Sequence, residues 1–596
     1  MRKQLGGMYK YFIALGVIVF SCGAFAGTFP VSSKTEFVAL KNRLMAANFL
    51  SLATFGPTSG DIQALAARIE KMGRRRAFSE WINLQFSKPV GFHEPLALQM
   101  ISDDGFKPVE EGISLVRYAH HAWWHRALTA DDQLRQRMAW ALSQIFSVNN
   151  NSSIFRLQIY DGSGQPQYLG IVNYYDMLLD NAFGNYRDLL GDVSLHPVMG
   201  IFLSHVRNTK GNPSIQRFPD ENYAREMMQL FSIGIFELSS DGKIKKDAQN
   251  RPIEAYDNDT VKTFARVFTG LNYARNATFS SSTRNLHEPM VMFEDQHDAE
   301  AKILLQGQVL PAGQTGMQDI QDTLDNVFNH PNVPPFIARM LIQRLVTSNP
   351  SRFYIRRVAK AFINNGHGVR GDFKAVIKAI LLDREAINTQ HYAMSLNPLT
   401  LTTAQRKTEY TRLREPVLRY SAFYRAFDAK SNYPTKRFMI PNLNRTIGQA
   451  VYSAPSVFGF YSPDFQPPGD IPSYKPSRLI PNGQIYAPEF QIMTPVADFS
   501  FLRLISQYTR NEFARFTLPN ATDNEVRFDF SDEIALAERP SELLAHLDLL
   551  LCHGGLSNGS KDIITKIISS EDTFNAELRA KMAIYSVMSS SDCAIE

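Results

Sequence analysis

Asp131-Asp132-Gln133-Leu134-Arg135-Gln136-Arg137-Met138-Ala139-Trp140-Ala141-Leu142-Ser143-Gln144-Ile145 carries apolar side chains at positions 134, 138, 141, 142 and 145. Such spacing returns to one side of a 3.6-residue helix, so it predicts a helix with a single apolar stripe. Asp131 and Asp132 put negative charge at its start, where the helix dipole favours it. The pattern recurs further along, at Ile337, Met340, Leu341, Arg344 and Leu345, and again at Phe373, Val376, Ile377, Ile380 and Leu381. Strand-like alternation is sparse, with Gly234 to Leu238 before the turn Ser240-Asp241-Gly242 as its best example. The expected class is therefore mainly α, a large multi-helix globular domain with few short strands.

Between Pro455 and Pro488 the composition changes: eight prolines fall in thirty-four residues, together with Phe458, Phe460, Tyr461, Phe465, Tyr474 and Tyr486. Proline at that density forbids a continuous helix, while the aromatics favour burial over disorder, so 455–488 is expected to be an ordered irregular wrap. Helical patterning resumes at Asp498 and again at Ser541, giving a C-terminal helical tail over 541–596. No Gly/Ser linker or charged run divides the chain, and 27–596 reads as a single domain.

The first residues have the order of a secretory signal. Arg2, Lys3 and Lys10 precede an apolar run from Tyr11 to Phe20, and the small-residue pattern Ala24-Phe25-Ala26 ends before Gly27. A signal peptide over 1–26 is expected, with a periplasmic or extracellular mature chain. Cys22, after Val19-Phe20-Ser21, offers an alternative lipoprotein processing site, which the bulky Phe20 fits poorly. Losing the three cations of the leader takes the formal net charge from +5 to +2. A near-neutral chain whose densest basic run is Arg74-Arg75-Arg76 argues against nucleic-acid binding. No later apolar run reaches transmembrane length. Cys552 and Cys593 are the two cysteines beyond the leader, and an oxidising compartment makes a disulfide between them the candidate pairing, with two free thiols as the alternative.

Several ordered blocks carry a family resemblance. They include Ala46-Ala47-Asn48-Phe49-Leu50, Ala53-Thr54-Phe55-Gly56-Pro57-Thr58, Asp132-Gln133-Leu134-Arg135-Gln136-Arg137 and Asn181-Ala182-Phe183-Gly184-Asn185-Tyr186. The most specific is Pro219-Asp220-Glu221-Asn222-Tyr223-Ala224-Arg225-Glu226, followed by Leu230-Phe231, Phe268-Thr269-Gly270 and His297-Asp298. Next come His330-Pro331-Asn332-Val333, Leu341 to Pro350, Leu413-Arg414-Glu415-Pro416, Pro455-Ser456-Val457-Phe458 and Pro467-Pro468-Gly469. In these blocks the chain resembles the bacterial family domain of unknown function 1800 over nearly its whole mature length. The resemblance implies an exported helical protein, often encoded beside the exported family domain of unknown function 1501, which is thereby a candidate partner. It implies no catalytic set. Many such proteins carry twin-arginine signals, whereas this leader lacks the Arg-Arg pair, which favours export unfolded by the general route.

The Asp220 segment is the first candidate site. Asp220 can cap a helix beginning at Glu221, and Asn222, Arg225, Glu226 and Gln229 would then share one face among Met227, Met228, Leu230 and Phe231. Such a stripe can be an ion-pair network, as the spacing of Glu221 and Arg225 allows, a catalytic site built on Asp220, Glu221, Arg225 and Glu226, or plain surface. The second candidate is the loop Glu294, Asp295, His297 and Asp298, whose oxygen-rich composition could hold a divalent metal. His121 and His125 have zinc-helix spacing, but Ala122 replaces the protease glutamate and Trp123-Trp124 point to packing. His196-Pro197 and His330-Pro331 read as helix-end caps.

No G-x-S-x-G elbow, phosphate-binding G-x-x-x-x-G-K loop or G-x-G-x-x-G fingerprint occurs, which disfavours esterase, nucleotide-hydrolysing and dinucleotide-redox chemistry. Two expectations stand. The first is a binding or assembly protein of the cell envelope whose aromatic wrap recognises a protein or glycan. The second is a metal-assisted envelope enzyme acting through an acidic/His cleft formed by the Asp220 helix and the His297 loop.

Overall fold

In the computed structural model the described residues are 34–106, 116–150, 161–387, 412–433, 437–438, 440, 443–469, 480, 483–509, 526–570 and 575–595. The expected leader, Cys22 and Tyr474 lie outside them.

The described residues begin with a helical hairpin, Lys34–Ala53 and Ser59–Met72. Thr58 and Asp61 form a reciprocal capping box, each side chain accepting the other's backbone N–H at 3.0 Å, which fixes where the second helix starts. Gly56, at φ +120, makes the corner before it. Helices continue through Gln133–Ser143, Val333–Leu345, Arg352–Ile363 and Phe373–Leu381 to Ala576–Met588. Among the described residues strands occur only as two-residue antiparallel pairs: Leu271–Asn272 with Val291–Met292, Lys302–Ile303 with Val309–Leu310, and Lys430–Ser431 with Val526–Arg527. The segment from Gly234 to Leu238 forms no strand, only isolated bridges from Phe236 to Glu254 and from Leu238 to Ile244. The fold is mainly α.

One apolar cluster extends from Ala46 to Cys593. At its centre lies Gln133–Ser143, and here the single-stripe expectation gives way: every residue from Gln133 to Leu142 is buried, the polar ones included. Hydrogen bonds to part of that polar face offset some of the cost of burying it. Arg137 donates to the Arg344 carbonyl at 2.6 Å, and Trp140 and Gln144 donate to Glu415 Oε2 at 3.0 and 2.9 Å. Gln449 adds a third donor to that oxygen, and Arg412 a second to the Arg344 carbonyl.

The described parts of the proline-rich wrap, 455–469, 480 and 483–488, are irregular and fastened to this centre. Asn349 exchanges two 2.8 Å hydrogen bonds with the Tyr486 backbone, Gln343 donates to Pro463 O at 3.1 Å, and Gln466 to Ile485 O at 2.7 Å. At its end, buried Glu489 accepts from Ser348 at 3.0 Å, and burial lifts its carboxyl to about 7. The tail folds back through Pro540–Leu547, Asn558–Ser569 and Ala576–Met588. Cys552 and Cys593 are joined in a disulfide, their Cα atoms 4.5 Å apart. Among the described residues no helix is long and apolar enough to cross a membrane.

Candidate functional site

The Asp220 helix starts one residue later than its sequence suggests and is much shorter. Asp220 accepts the N–H of Asn222 at 2.8 Å, α-helix covers only Asn222–Glu226, and Met227–Ser232 winds as a π-helix. The wider turn breaks the 3.6-residue phase after Glu226, so the expected stripe of Asn222, Arg225, Glu226 and Gln229 does not form one continuous face. Asn222 is exposed. Arg225 pairs with Glu221 at 2.8 Å and reaches Asn258 at 3.2 Å. Glu226 is buried, its Oε2 has no hydrogen-bond partner, and burial raises its carboxyl despite the nearby Arg225. The Tyr256 hydroxyl is raised by burial and further by this carboxylate.

The His297 loop is engaged on every side. His297 faces the Thr269 carbonyl through Nδ1 at 3.0 Å and Asp319 through Nε2 at 3.1 Å. Asp319 also takes the buried Lys302 ammonium at 2.6 Å. Asp298 receives both prongs of Arg266, at 2.8 and 2.9 Å, and that guanidinium, outweighing burial, lowers its carboxyl. Glu294 accepts the Gly316 N–H at the start of Gly316–Asn329, and Asp295 contacts Gln296 at the surface. Both ring nitrogens of His297 therefore already face acceptors, and among the described residues no group of three or more His, Cys, Asp or Glu is arranged to hold a metal.

The two segments do approach each other, through backbone. Asn208 clasps Asp220 with a pair of bonds, at 2.9 and 3.2 Å, and its carbonyl accepts Gly270 N–H at 2.8 Å, next to the Thr269 that His297 contacts. Among the described residues no hydrogen bond or ion pair joins the side chains of Asp220, Glu221, Arg225 or Glu226 to those of Glu294, Asp295, His297 or Asp298. The composite acidic cleft is thus not assembled by direct contact.

A richer constellation lies elsewhere. His93 and Glu94 open the helix Glu94–Asp103, and Asp176 of Gly170–Asp180 accepts both their backbone N–H groups and His93 Nδ1, the last at 2.7 Å. The other ring nitrogen of His93, Nε2, is buried without a hydrogen-bond partner. Nearby, His287 sits between Asp161, 2.6 Å from Nδ1, and Glu94, 3.1 Å from Nε2 at ion-pair distance without hydrogen-bond alignment. Burial alone would depress this imidazole, but the two carboxylates outweigh it and raise it to about 9. Burial would raise Asp161, yet His287, Ser163 and the Leu286 N–H hold it well below its usual range. Glu94 continues to Asn173 at 2.9 Å and Asn173 to His196 at 3.2 Å. Tyr452, at φ +58 in the left-handed region, is close enough for Asp176 and Glu94 to raise its already buried hydroxyl further.

No short motif announces this cluster, whose pairs are 83 and 126 residues apart. The four histidines singled out in the sequence outside the His297 loop each have a local contact. His196 caps Pro197–Phe202 by accepting Val198 N–H, and His330 accepts Asn332 N–H. His121 is buried against Tyr118, and burial depresses it to about 3. His125 bonds Thr129 within its own helix, and burial lowers it to about 4.

A family model described as protein of unknown function (DUF1800) matches residues 48–593. No curated protein and no solved structure matches the chain.

Proposed function

From the premise that this chain belongs to the family of proteins of unknown function DUF1800, we propose that it is an exported cell-envelope protein that works by binding a partner. The observation that carries this reading is the outward side of the wrap and the helix after it. Phe458 is 56%, Phe490 38%, Val496 72% and Phe499 64% exposed. Val496 and Phe499 stand one turn apart on Pro495–Thr509, with exposed Arg503 a turn further. Phe458 is held on a turn whose Gly459, at φ +77, packs against the Gln144 carbonyl. Rigid aromatics on a fastened backbone lose little entropy on binding, and aromatic and arginine side chains dominate interface energetics. The charged, apolar and small-residue order of the first 26 residues supports export to the periplasm or beyond, with the Cys22 lipoprotein route as the alternative. An exported protein of the family domain of unknown function 1501 is the first partner to test, and a glycan the second.

Replacing Val496 and Phe499 by serine tests the reading in cells. The double variant should melt within about 0.5 kcal/mol of wild type, as surface changes do, and yet fail to complement a deletion strain. Full complementation would remove the reading.

The alternative, an envelope enzyme, is favoured by one observation, the buried His93 Nε2 without a hydrogen-bond partner on a ring whose Nδ1 is held by Asp176, a histidine–carboxylate pairing of the kind general acid–base chemistry uses. Its metal-assisted form, with a divalent ion at Glu294, Asp295, His297 and Asp298, is tested by elemental analysis of protein purified from its native envelope. A stoichiometric metal supports it.

A further inference from the structure

Residues 213–218, Pro-Ser-Ile-Gln-Arg-Phe, are exposed without interruption. Two of them are large and apolar: Ile215 is 64% and Phe218 73% exposed, the latter the most exposed of the chain's large apolar side chains among the described residues. This exposure belongs to a firmly held turn. Asn212 and Arg217 exchange backbone hydrogen bonds at 2.8 and 3.1 Å, Gln216 closes onto Pro213 O at 3.1 Å in the left-handed region at φ 53, and the Asn212 side chain takes both the N–H and the hydroxyl of Ser214. Its base is pinned by the Asn208–Asp220 clasp and by Lys210 N–H on Gln296 O at 2.9 Å.

With its main-chain groups largely satisfied inside the turn, the hairpin presents apolar carbon and positive charge. From His205 to Pro219 the chain carries Arg207, Lys210 and Arg217 and no carboxylate. All three cations are exposed, and Lys210 and Arg217 form no ion pair among the described residues. Exposed Asp220 and Asp295 stand at the base: Asp220 caps Asn222, and Asp295 adjoins the Gln296 that pins Lys210.

We propose that the hairpin at residues 212–218 is a contact element for anionic lipid surfaces, inserting Ile215 and Phe218 into the headgroup boundary while Lys210 and Arg217 meet lipid phosphates. This goes beyond the partner-binding reading and uses a different surface. Two side chains on a narrow protruding turn offer far less than the roughly 800 Å² per partner of a standard protein interface. They suit shallow interfacial insertion, where apolar burial and attraction to anionic headgroups act together.

The test is co-sedimentation of the leader-free folded chain with vesicles of phosphatidylethanolamine and phosphatidylglycerol, against vesicles of phosphatidylcholine alone. Wild type should bind the anionic vesicles in a salt-sensitive manner, and Ile215→Ser with Phe218→Ser should lower the bound fraction about tenfold. Arg217→Glu should weaken binding independently. Ile303→Ser with Val309→Ser alters another exposed apolar pair, 65% and 60% exposed across one strand ribbon, and should leave binding unchanged. Equal binding to both vesicle types, unaltered binding by the hairpin variants, or a hairpin needed only for capture of an acidic protein would each overturn the proposal.

Discussion

His287 shows how a single side chain can bind distant parts of this chain together. Its imidazole, raised to about 9 from an ordinary 6.5, stabilises the fold fully below pH 6.5, and that contribution is lost as pH rises through 9. The shift corresponds to at most about 3 kcal/mol. Urea titrations of wild type should therefore show stability falling from pH 6.5 to 9, and His287→Gln should flatten that slope. A slope unchanged in the variant would place the titration elsewhere. Glu226 follows the same pH direction for the opposite reason, because here the neutral form is the favoured one. Burial raises its carboxyl, so ionisation at neutral pH opposes folding. Glu226→Gln should melt at or above the wild-type temperature at pH 7, and a clear drop would mean the carboxylate has a stabilising partner. Little of this was legible in the residues themselves. Glu226 could be picked out by its motif, but its burial depends on the π-turn after it, and the pairing of His287 with Asp161 spans 126 positions.

At the scale of elements, helical spacing locates the helices but not how many of their sides are buried. Phe373–Leu381 and Val333–Leu345 lie where their periodic residues placed them. Gln133–Ser143 was found as a helix, but its polar side was misjudged, because spacing distinguishes apolar from polar and cannot show that Arg137 and Gln144 have partners more than 200 residues away. Corners were also hidden. Gly56 joins the first helical hairpin to Pro416–Ala426: its carbonyl accepts from Arg425 Nε at 2.5 Å, and a Cβ at this position would lie 2.6 Å from Ala422 Cβ. Gly56→Ala combines that clash with a positive φ, and should destabilise by about 3 kcal/mol in chemical denaturation. A loss below about 0.5 kcal/mol, the range of indifferent surface changes, would show that the corner relaxes freely.

For the whole molecule, the tail is tied back by chemistry as well as packing. The bridge from Cys552 to Cys593 closes a loop of separation 41, which in the chain-entropy account limits the unfolded state by about 4 kcal/mol. Paired Cys552→Ser and Cys593→Ser replacement should lower the denaturant midpoint accordingly, and an unchanged midpoint would show that packing of Ala576–Met588 alone holds the tail. The polar groups of the body largely serve one another, through Glu415, Asp319 and Asp298, whereas Val496 and Phe499 face outward with no such employment. That division motivates the central claim, a helical body that presents a binding surface. The direct measurement is recovery of the domain of unknown function 1501 protein with the tagged chain from solubilised cells, alongside thermal melting. Wild type should carry the partner, and Val496→Ser with Phe499→Ser should lose it at least about tenfold, a difference of about 1.4 kcal/mol, at unchanged melting temperature. Equal recovery from both forms, or none from wild type, would contradict the account.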